Sequence, residues 1–205
     1  MVGDVGFFER VAPVYDWVMP RADPTDLDAG LGCARRPVDR VVDLGGGTGR
    51  AIREVDATER LVVDPARRML RRVPSGVGCL RGSGTALPLA DASVDAVLIV
   101  DALHHMPGAT KVLPEVRRVL RPGGVVVILD FDPTTIRGRL LAGAEHLIRF
   151  DSTFYSATDL VAAMATAGLD GQVVVGGFSY VVAGTVPGNA DREHGRTTRR
   201  VPSSD

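Results

Sequence analysis

Two carboxylates follow two short apolar runs, at a spacing that suits nucleoside binding. Val41-Val42 leads into Asp43, and Leu61-Val62-Val63 leads into Asp64, with glycines at 45, 46, 47 and 49 after the first acid. In a doubly wound α/β sheet, a glycine-rich turn after the first strand lets a ligand approach the backbone. An acid about 20 residues further on can accept hydrogen bonds from ribose hydroxyls. The pattern therefore predicts a nucleoside site.

The spacing of the glycines narrows the choice of ligand. A dinucleotide fingerprint needs G-x-G-x-x-G, and Arg50 stands where its third glycine would be. A Walker loop needs Gly-Lys-Ser/Thr, and Lys111 is the only lysine in the sequence. The pattern present is D-x-G-x-G-x-G, from Asp43 to Gly49. A turn without any ligand is the alternative interpretation.

The elements that must position these residues alternate along the chain. We predict strands at 39–43, 61–64, 77–81, 96–100, 125–130, 172–176 and 178–185. We predict helices at 7–19 with a break at Pro13, from Asp23-Pro24, from Pro65 to about Val73, from Pro114 to Leu120, and at 157–167 before Gly168, with only a short helix between Thr48 and Arg60. Short strands separated by helices indicate parallel βαβ units.

The glycine pattern resembles motif I of the class I S-adenosylmethionine (SAM) methyltransferases. Four further stretches are similar to that family's D-x-S-x-x-M-L, G-D-A-E-x-L-P-F, S-F-D…L-H-H and E-x-x-R-V-L-K-P-G-G motifs, in that order: residues 61–70, 81–89, 93–105 and 115–124. Tyr15-Asp16 resembles the N-terminal Y-D of the branch with the ubiquinone- and menaquinone-biosynthesis methyltransferases. That branch has G-L-R-N after strand four, where this sequence has Ala102-Leu103-His104-His105.

The resemblance implies a Rossmann-like three-layer α/β sandwich with a seven-stranded, mostly parallel sheet and an antiparallel last strand. It divides the chain into an N-terminal helical lid segment at 1–37, a SAM-binding domain at 38–187 and a tail at 188–205. The tail has polar residues and no apolar pattern, so we predict that it is disordered.

The resemblance also assigns the residues that hold SAM or its product S-adenosylhomocysteine. Asp43 helps bind the methionine amine, Asp64 takes the ribose hydroxyls, and Ser83 stands where the family has an acid for the adenine amine. The full set of expected cofactor residues is Tyr15, Asp43, Gly45, Gly46, Gly47, Thr48, Gly49, Asp64, Pro65, Met69, Ser83, Gly84, Thr85, Asp101 and Ala102. For Asp64, a cap on the helix that follows is the alternative.

Two adjacent histidines, His104 and His105, are the candidate catalytic residues. They follow strand four, at the sheet edge where ligands bind, and a histidine there can deprotonate an acceptor. The alternative is that both are structural, one packing under the loop and the other shaping the cofactor pocket. Tyr15 and Trp17 could form an aromatic lid or simply pack on the sheet. Asp151, Phe154 and Tyr155 lie in the segment where the family often builds its acceptor site.

Composition excludes several other classes of protein. The net charge is −1, which argues against a general nucleic-acid surface. No apolar run approaches the roughly 20 residues that span a membrane, and no signal-peptide pattern is present, so we expect a cytoplasmic protein. Cys33 and Cys79 are isolated, so we expect no metal site and no disulfide framework. Nothing in the sequence indicates an oligomeric state.

Together these features predict transfer of a methyl group from SAM to a small-molecule acceptor through an O, C or N atom. Two alternatives stay open. One is a regulatory or scaffold protein that binds SAM without turnover, which the short acceptor region and Ser83 allow. The other is an RNA or protein methyltransferase, since arginines at 192, 196, 199 and 200 could contact an acidic partner.

Overall fold

A seven-stranded sheet forms the centre of the protein. The structure is a computed structural model, and it describes residues 3–12, 22–135 and 153–188. The strands are β1 (Arg40–Leu44), β2 (Glu59–Asp64), β3 (Gly78–Arg81), β4 (Val94–Val100), β5 (Leu120–Phe131), β6 (Asp170–Val175) and β7 (Ser179–Thr185). Their order is β3-β2-β1-β4-β5-β7-β6. Strands β1 to β5 pair in parallel, and β7 runs antiparallel to β5 and β6. The predicted fold class is confirmed.

The central strands are buried on both faces, which explains their continuous apolar sequences. All seven residues of β4 are buried. The register pairs Asp43 with Val62 on β2 and with Leu98 on β4, so the ends of these three strands lie along one edge. This edge carries the glycine-rich turn and the predicted acids.

Helices cover both faces of the sheet. Helices α4 (Ala109–Val119) and α5 (Ala157–Thr166) pack on one face, where Leu113 and Leu160 are fully buried. Helix α2 (Pro24–Leu31) and a 3-10 turn (Ile52–Glu54) pack on the other face. That turn is the only helix in the first crossover, as predicted.

Helix α3 (Arg67–Leu70) is shorter than predicted and does not begin at Pro65 or continue to Val73. The reason is local. Asp64 Oδ1 accepts a hydrogen bond from the Ala66 amide at 2.7 Å, and this contact holds Ala66 in an extended conformation. The helix therefore begins only at Arg67.

Helix α4 begins at Ala109, so the prediction that it starts at Pro114 was wrong. Pro114 lies inside the helix, where it removes one backbone hydrogen bond. The apolar stripe of Ala109, Val112, Leu113, Val116 and Val119 is buried along the whole helix. Burial of this stripe outweighs the loss of the bond.

The starts of the strands also differ from the predictions, most of all at β5. Strand β5 begins at Leu120 rather than Val125, because Leu120 pairs with Val94 before the register shifts at Ala96. Strand β3 begins at Gly78 rather than Val77. The remaining strands lie within two residues of their predicted positions.

Helix α1 (Gly3–Val11) begins earlier than the predicted helix at 7–19 and ends before Pro13. The predictions for Tyr15, Trp17 and Asp151 and for the tail beyond residue 188 fall outside the described residues. In the described part of the chain, no helix combines the length and apolarity that crossing a membrane requires.

Candidate functional site

The glycine-rich turn after β1 has a backbone that only glycine allows. Gly45 has φ +74°, in the left-handed region. At Gly46 a Cβ atom would lie 2.4 Å from Cγ of Asp43, so the turn closes directly over that carboxylate. The turn ends with a hydrogen bond from the Gly49 amide to the Gly46 carbonyl at 2.8 Å. Thr48 is fully buried within it.

Asp64 connects this turn to the next loop. Its Oδ2 accepts a hydrogen bond from the Gly47 amide at 3.0 Å, and its Oδ1 accepts one from Ala66. Burial raises the pKa of Asp64, and these two amides oppose the rise. The Ala66 amide precedes helix α3, which has no side-chain cap, so Asp64 does not cap that helix, and Asp64 also lines the main cavity.

Asp43 is completely buried behind the turn. Neither carboxylate oxygen has a hydrogen bond of ordinary geometry from the described residues, and the Ile52 amide lies near enough to act on the carboxylate without forming one. Burial raises the pKa of Asp43 to about 7, and the negative charge of Asp64 adds to the rise. The Ile52 amide and the Arg50 guanidinium oppose it. An orphaned buried carboxylate of this kind is a candidate binding group.

A third orphaned oxygen belongs to Asp101, just after β4. Asp101 has φ +49°, which is uncommon for a residue other than glycine, and strained backbone of this kind clusters at functional sites. Its Oδ2 pairs with Arg50 at 3.2 Å, and its Oδ1 has no partner among the described residues. Burial raises the pKa of Asp101, and the positive charge of Arg50 opposes the rise.

The main cavity lies at this edge of the sheet and has a mostly apolar wall with acids at its base. Eight predicted site residues line it: Gly45, Gly47, Asp64, Pro65, Met69, Asp101, Ala102 and His105. The sequence analysis missed Val5, Phe8, Ala66 and Met106, which complete the lining. The spacing of Val5 and Phe8 on one helical face was the signal for the first two.

Several predicted cofactor residues do not line this cavity. Ser83 and Thr85 hydrogen-bond each other through their hydroxyls at 3.2 Å, and Gly84 packs beside Met106. Thr48 and Gly49 belong to the glycine-rich turn itself: Thr48 is buried within it, and the Gly49 amide donates to the Gly46 carbonyl. Asp43 and Gly46 line a smaller second cavity that shares Gly45 with the first.

Helix α1 is fixed over the cavity by two contacts. Both carboxylate oxygens of Glu9 lie 3.2 Å from the Arg68 amide at the start of α3. The ring of Phe8 meets His105 edge-on, with centroids 5.2 Å apart. The described part of the predicted lid segment thus contributes to the cavity wall.

The two histidines have different environments. His105 lines the cavity, and burial lowers its pKa to about 3, with the charge of His104 adding to the effect. His104 lies behind it, nearly fully buried. Its Nδ1 is 2.8 Å from Oδ1 and 2.9 Å from Oδ2 of Asp130 on β5. Phe154 stacks on the His104 ring with centroids 4.7 Å apart.

Asp130 is a functional candidate that the sequence analysis missed. Its pairing with His104 depends on the neighbouring positions of β4 and β5, which the local sequence does not show. The hydroxyl of Tyr155 accepts a hydrogen bond from the Ala109 amide at 3.1 Å. The segment from Thr153 to Tyr155 is thereby held against the histidines, and the Thr153 amide bonds the His104 carbonyl at 2.8 Å.

The arrangement can attract a cation. Three buried acids, Asp43, Asp64 and Asp101, lie at this edge of the sheet, and the buried Arg50 pairs with Asp101. The described residues contain no group of three or more His, Cys, Asp or Glu side chains that could hold a metal ion.

Comparison with known proteins agrees with this geometry. A family model described as a methyltransferase domain matches residues 42–128. A demethylmenaquinone methyltransferase of Mycobacterium sp. (strain KMS) is 32% identical over 203 residues, covering 84% of this chain and 86% of that protein. An uncharacterised methyltransferase of Mycobacterium tuberculosis is 40% identical over 131 residues, covering 58% of this chain. The chain spans 47% of the length of that second relative.

A solved structure shares nearly the whole fold. It is a SAM-dependent methyltransferase of Thermotoga maritima, described as a possible histamine N-methyltransferase. The TM-score is 0.74 at 25% identity, covering 90% of this chain and 99% of the other.

Proposed function

The chain belongs to the class I SAM-dependent methyltransferase family, and from this premise we propose that it transfers the methyl group of SAM to a small-molecule acceptor. The cofactor of this family is SAM, which when bound supplies an electrophilic methyl group on a sulfonium. The observation that carries the proposal is the pair of orphaned buried acids, Asp43 and Asp101, beside the glycine-rich turn. The similarity to a demethylmenaquinone methyltransferase supports a small-molecule acceptor.

The residues at the turn fit this cofactor. SAM has two positive charges, on sulfur and on the amine, and one negative carboxylate. Asp101, which lines the main cavity, would lie beside the amine, and Asp43, which the turn covers, would help bind it through a bridging water. At Gly47 a Cβ atom would meet nothing closer than the Met69 sulfur at 4.0 Å, so the missing side chain leaves room for a ligand.

Asp64 would accept hydrogen bonds from the ribose hydroxyls. Each carboxylate oxygen has two acceptor positions, so the bonds from Gly47 and Ala66 leave capacity for a ligand. Those two bonds also fix the orientation of the carboxylate before the ligand arrives. Ser83, Gly84 and Thr85 remain the proposed neighbours of the adenine, and Tyr15 remains a proposed contact.

Of the two histidines, only His104 has the carboxylate partner that supports a general base, and it lies behind His105 rather than on the cavity wall. Asp130 accepts the Nδ1–H of His104, so the neutral ring has its lone pair on Nε2. During methyl transfer, His104 would take the proton of the acceptor at Nε2, and Asp130 would stabilise the resulting cation. His105 has a pKa of about 3 and is a weak base at neutral pH.

Variants of these residues test the assignment. His104→Ala should lower kcat by about 100-fold and leave SAM affinity within about threefold. Asp130→Asn should also lower kcat and shift its pH profile, because an amide cannot stabilise the histidine cation. His105→Ala should change cofactor affinity more than kcat. If His105→Ala gives the large kcat loss and His104→Ala does not, the roles are reversed.

The function itself is tested with labelled cofactor. A cell extract incubated with the protein and deuteriomethyl SAM should yield a labelled small molecule in mass spectrometry, and its structure identifies the acceptor atom. The control is the same extract with Asp43→Asn protein. Label found only in RNA or in protein would overturn the small-molecule assignment. Tight SAM binding without any labelled product would favour the non-catalytic alternative.

A further inference from the structure

Positive charge is concentrated in one short stretch of the chain. Between Asp64 and Asp91 the sequence has no aspartate, glutamate or lysine, and it has five arginines, at 67, 68, 71, 72 and 81. The whole chain has a net charge of −1, so the rest of the chain is net acidic. We call these five residues the arginine strip.

The fold gathers the arginine strip on one part of the surface. Four of its members lie on α3 and on the turn that follows it, where the Arg71 amide donates to the Arg67 carbonyl at 3.2 Å. Because residues four apart lie on the same side of a helix, these four side chains form two adjacent rows, away from the buried Met69. Arg81 joins them from β3, where its Nε donates to the Pro65 carbonyl at 3.0 Å.

The charge of the strip is largely unbalanced. All five arginines are exposed. Among the described residues, the only acid paired with the strip is Glu9, which lies 3.7 Å from Arg68. Like charges four residues apart on a helix repel each other, as at positions 67 and 71. An anionic partner outside the chain would relieve this repulsion.

The strip also borders the main cavity. Pro65, Ala66 and Met69 line that cavity, and Pro65 is exposed, so the arginines lie at the cavity rim. The wall of the cavity is mostly apolar, with side chains such as Val5 and Met106. A partner that docks on the strip would therefore lie beside the entrance to an apolar site.

An anionic lipid surface fits the strip better than a protein or a nucleic acid. Protein interfaces depend on aromatic and apolar side chains that fill pockets of the partner, and single-stranded nucleic acids stack on aromatic rings. Residues 65–90 include no aromatic residue. Clusters of about four to eight basic residues on a helix are typical of binding to anionic phospholipids, which need no preformed pocket.

We propose that the arginine strip docks the protein on a bilayer that contains anionic phospholipid, with the rim of the main cavity turned toward the membrane. The docking does not depend on methyl transfer. The benefit of this orientation rests on the proposed function, because an apolar acceptor could then pass from the lipid into the cavity.

Vesicle sedimentation tests the docking. At about 0.1 M salt the wild-type protein should bind vesicles of mixed phosphatidylglycerol and phosphatidylcholine, and it should not bind vesicles of phosphatidylcholine alone. About 0.5 M salt should release it, because exposed charges are then screened. Arg71→Gln/Arg72→Gln should weaken binding to the anionic vesicles by about tenfold or more.

A second double variant is the matched control. Arg35→Gln/Arg117→Gln removes the same charge from residues that contact Asp170 and the Gly168 carbonyl, outside the strip. It should bind anionic vesicles within about twofold of wild type. None of the four arginines lines the main cavity, so calorimetry should give the same SAM affinity for both variants as for wild type. Circular dichroism checks that each variant is folded.

The outcomes separate the docking from the proposed function. Equal binding to the two kinds of vesicle, or equal losses in the two double variants, would overturn the docking. Tighter binding to single-stranded RNA or to polyglutamate than to the anionic vesicles would overturn it in favour of a nucleic acid or an acidic protein. Vesicle binding as expected without any SAM binding would overturn the proposed function and leave the docking in place.

Discussion

Asp95 and Asp101 lie at opposite ends of strand β4, and both side chains are at most 8% exposed. Asp95 is fully partnered: Arg36 and Arg121 contact it at 2.8 and 2.9 Å, and the amides of Asp39 and Arg40 donate to its Oδ2. Asp101 has a single arginine and one oxygen without a partner among the described residues.

The pKa values move in opposite directions at the two ends. Burial raises the pKa of Asp95, but hydrogen bonds from Arg121 and the two amides outweigh it and hold the pKa below its usual value. At Asp101 and Asp43 burial dominates and the pKa rises. An acid whose partners all come from the protein stabilises the fold, whereas an acid that lacks them is available to a ligand.

The largest effect is expected from a substitution of Asp95, whose partners all come from the protein. Asp95→Asn should lower the free energy of unfolding by about 3 kcal/mol, because it leaves two arginines without their buried counter-charge. Urea denaturation measures the loss. The matched control is Asp170→Asn, which breaks the half-exposed pair with Arg35 and should cost less than about 1 kcal/mol. Equal losses for the two variants would contradict the difference drawn between buried and exposed pairs.

At Asp43, an aspartate-to-asparagine substitution should weaken ligand binding rather than the stability of the fold. Asp43→Asn should weaken SAM binding at least tenfold, because an amide cannot supply the charge that the ammonium needs. Its free energy of unfolding should not fall, since no ion pair is lost and a buried charge is removed. Calorimetry and urea denaturation provide the two numbers. A stability loss as large as that of Asp95→Asn would show that Asp43 belongs to the fold.

A smaller effect should appear in the pH dependence of binding. Since the pKa of Asp43 is about 7 without ligand, and burial also raises those of Asp64 and Asp101, binding a cation at lower pH must first release a proton. SAM affinity should therefore fall by up to about tenfold per pH unit below 7. Titrations at about pH 6, 7 and 8 check the slope. A wild-type slope equal to that of Asp43→Asn would exclude Asp43 as its source.

In the absence of ligand, the free energy of unfolding should change with pH in the opposite direction to SAM affinity. Between the usual pKa of an aspartate, 3.8, and about 7, folded Asp43 holds a proton that the unfolded chain has released. The contribution of Asp43 to stability is therefore greatest at low pH and decreases as the pH rises through this window. Asp43→Asn should remove that part of the slope.

The sequence was sufficient for the sheet and for most of the cavity floor. Buried parallel strands are continuous apolar runs, and the turn after β1 needs glycine, so local patterns identified Asp43, Gly45, Gly47 and Asp64. Residues that act through distant partners could not be found in this way. Arg50, Asp95 and Asp130 acquire their roles only when strands 26 to 56 positions away lie beside them.

The starts of two helices were predicted wrongly because local proline signals were followed. Pro114 suggested a helix start, and only the buried stripe on α4 shows that packing outweighs the missing bond. At Pro65 the local signal for a helix start was overridden by one side-chain hydrogen bond from Ala66 to Asp64. Local propensity is weak evidence wherever a tertiary contact or a side-chain bond competes with it.

Asp64 has one carboxylate between two loops that follow different strands. Because the same side chain holds the amides of Gly47 and Ala66, a backbone shift in one loop moves the anchor of the other. Across relatives, the lengths and residue choices of these two loops should consequently covary, and an insertion in either should be rare unless position 64 changes with it. In this respect one residue, Asp64, limits how far the two loops at the proposed cofactor site can change during evolution.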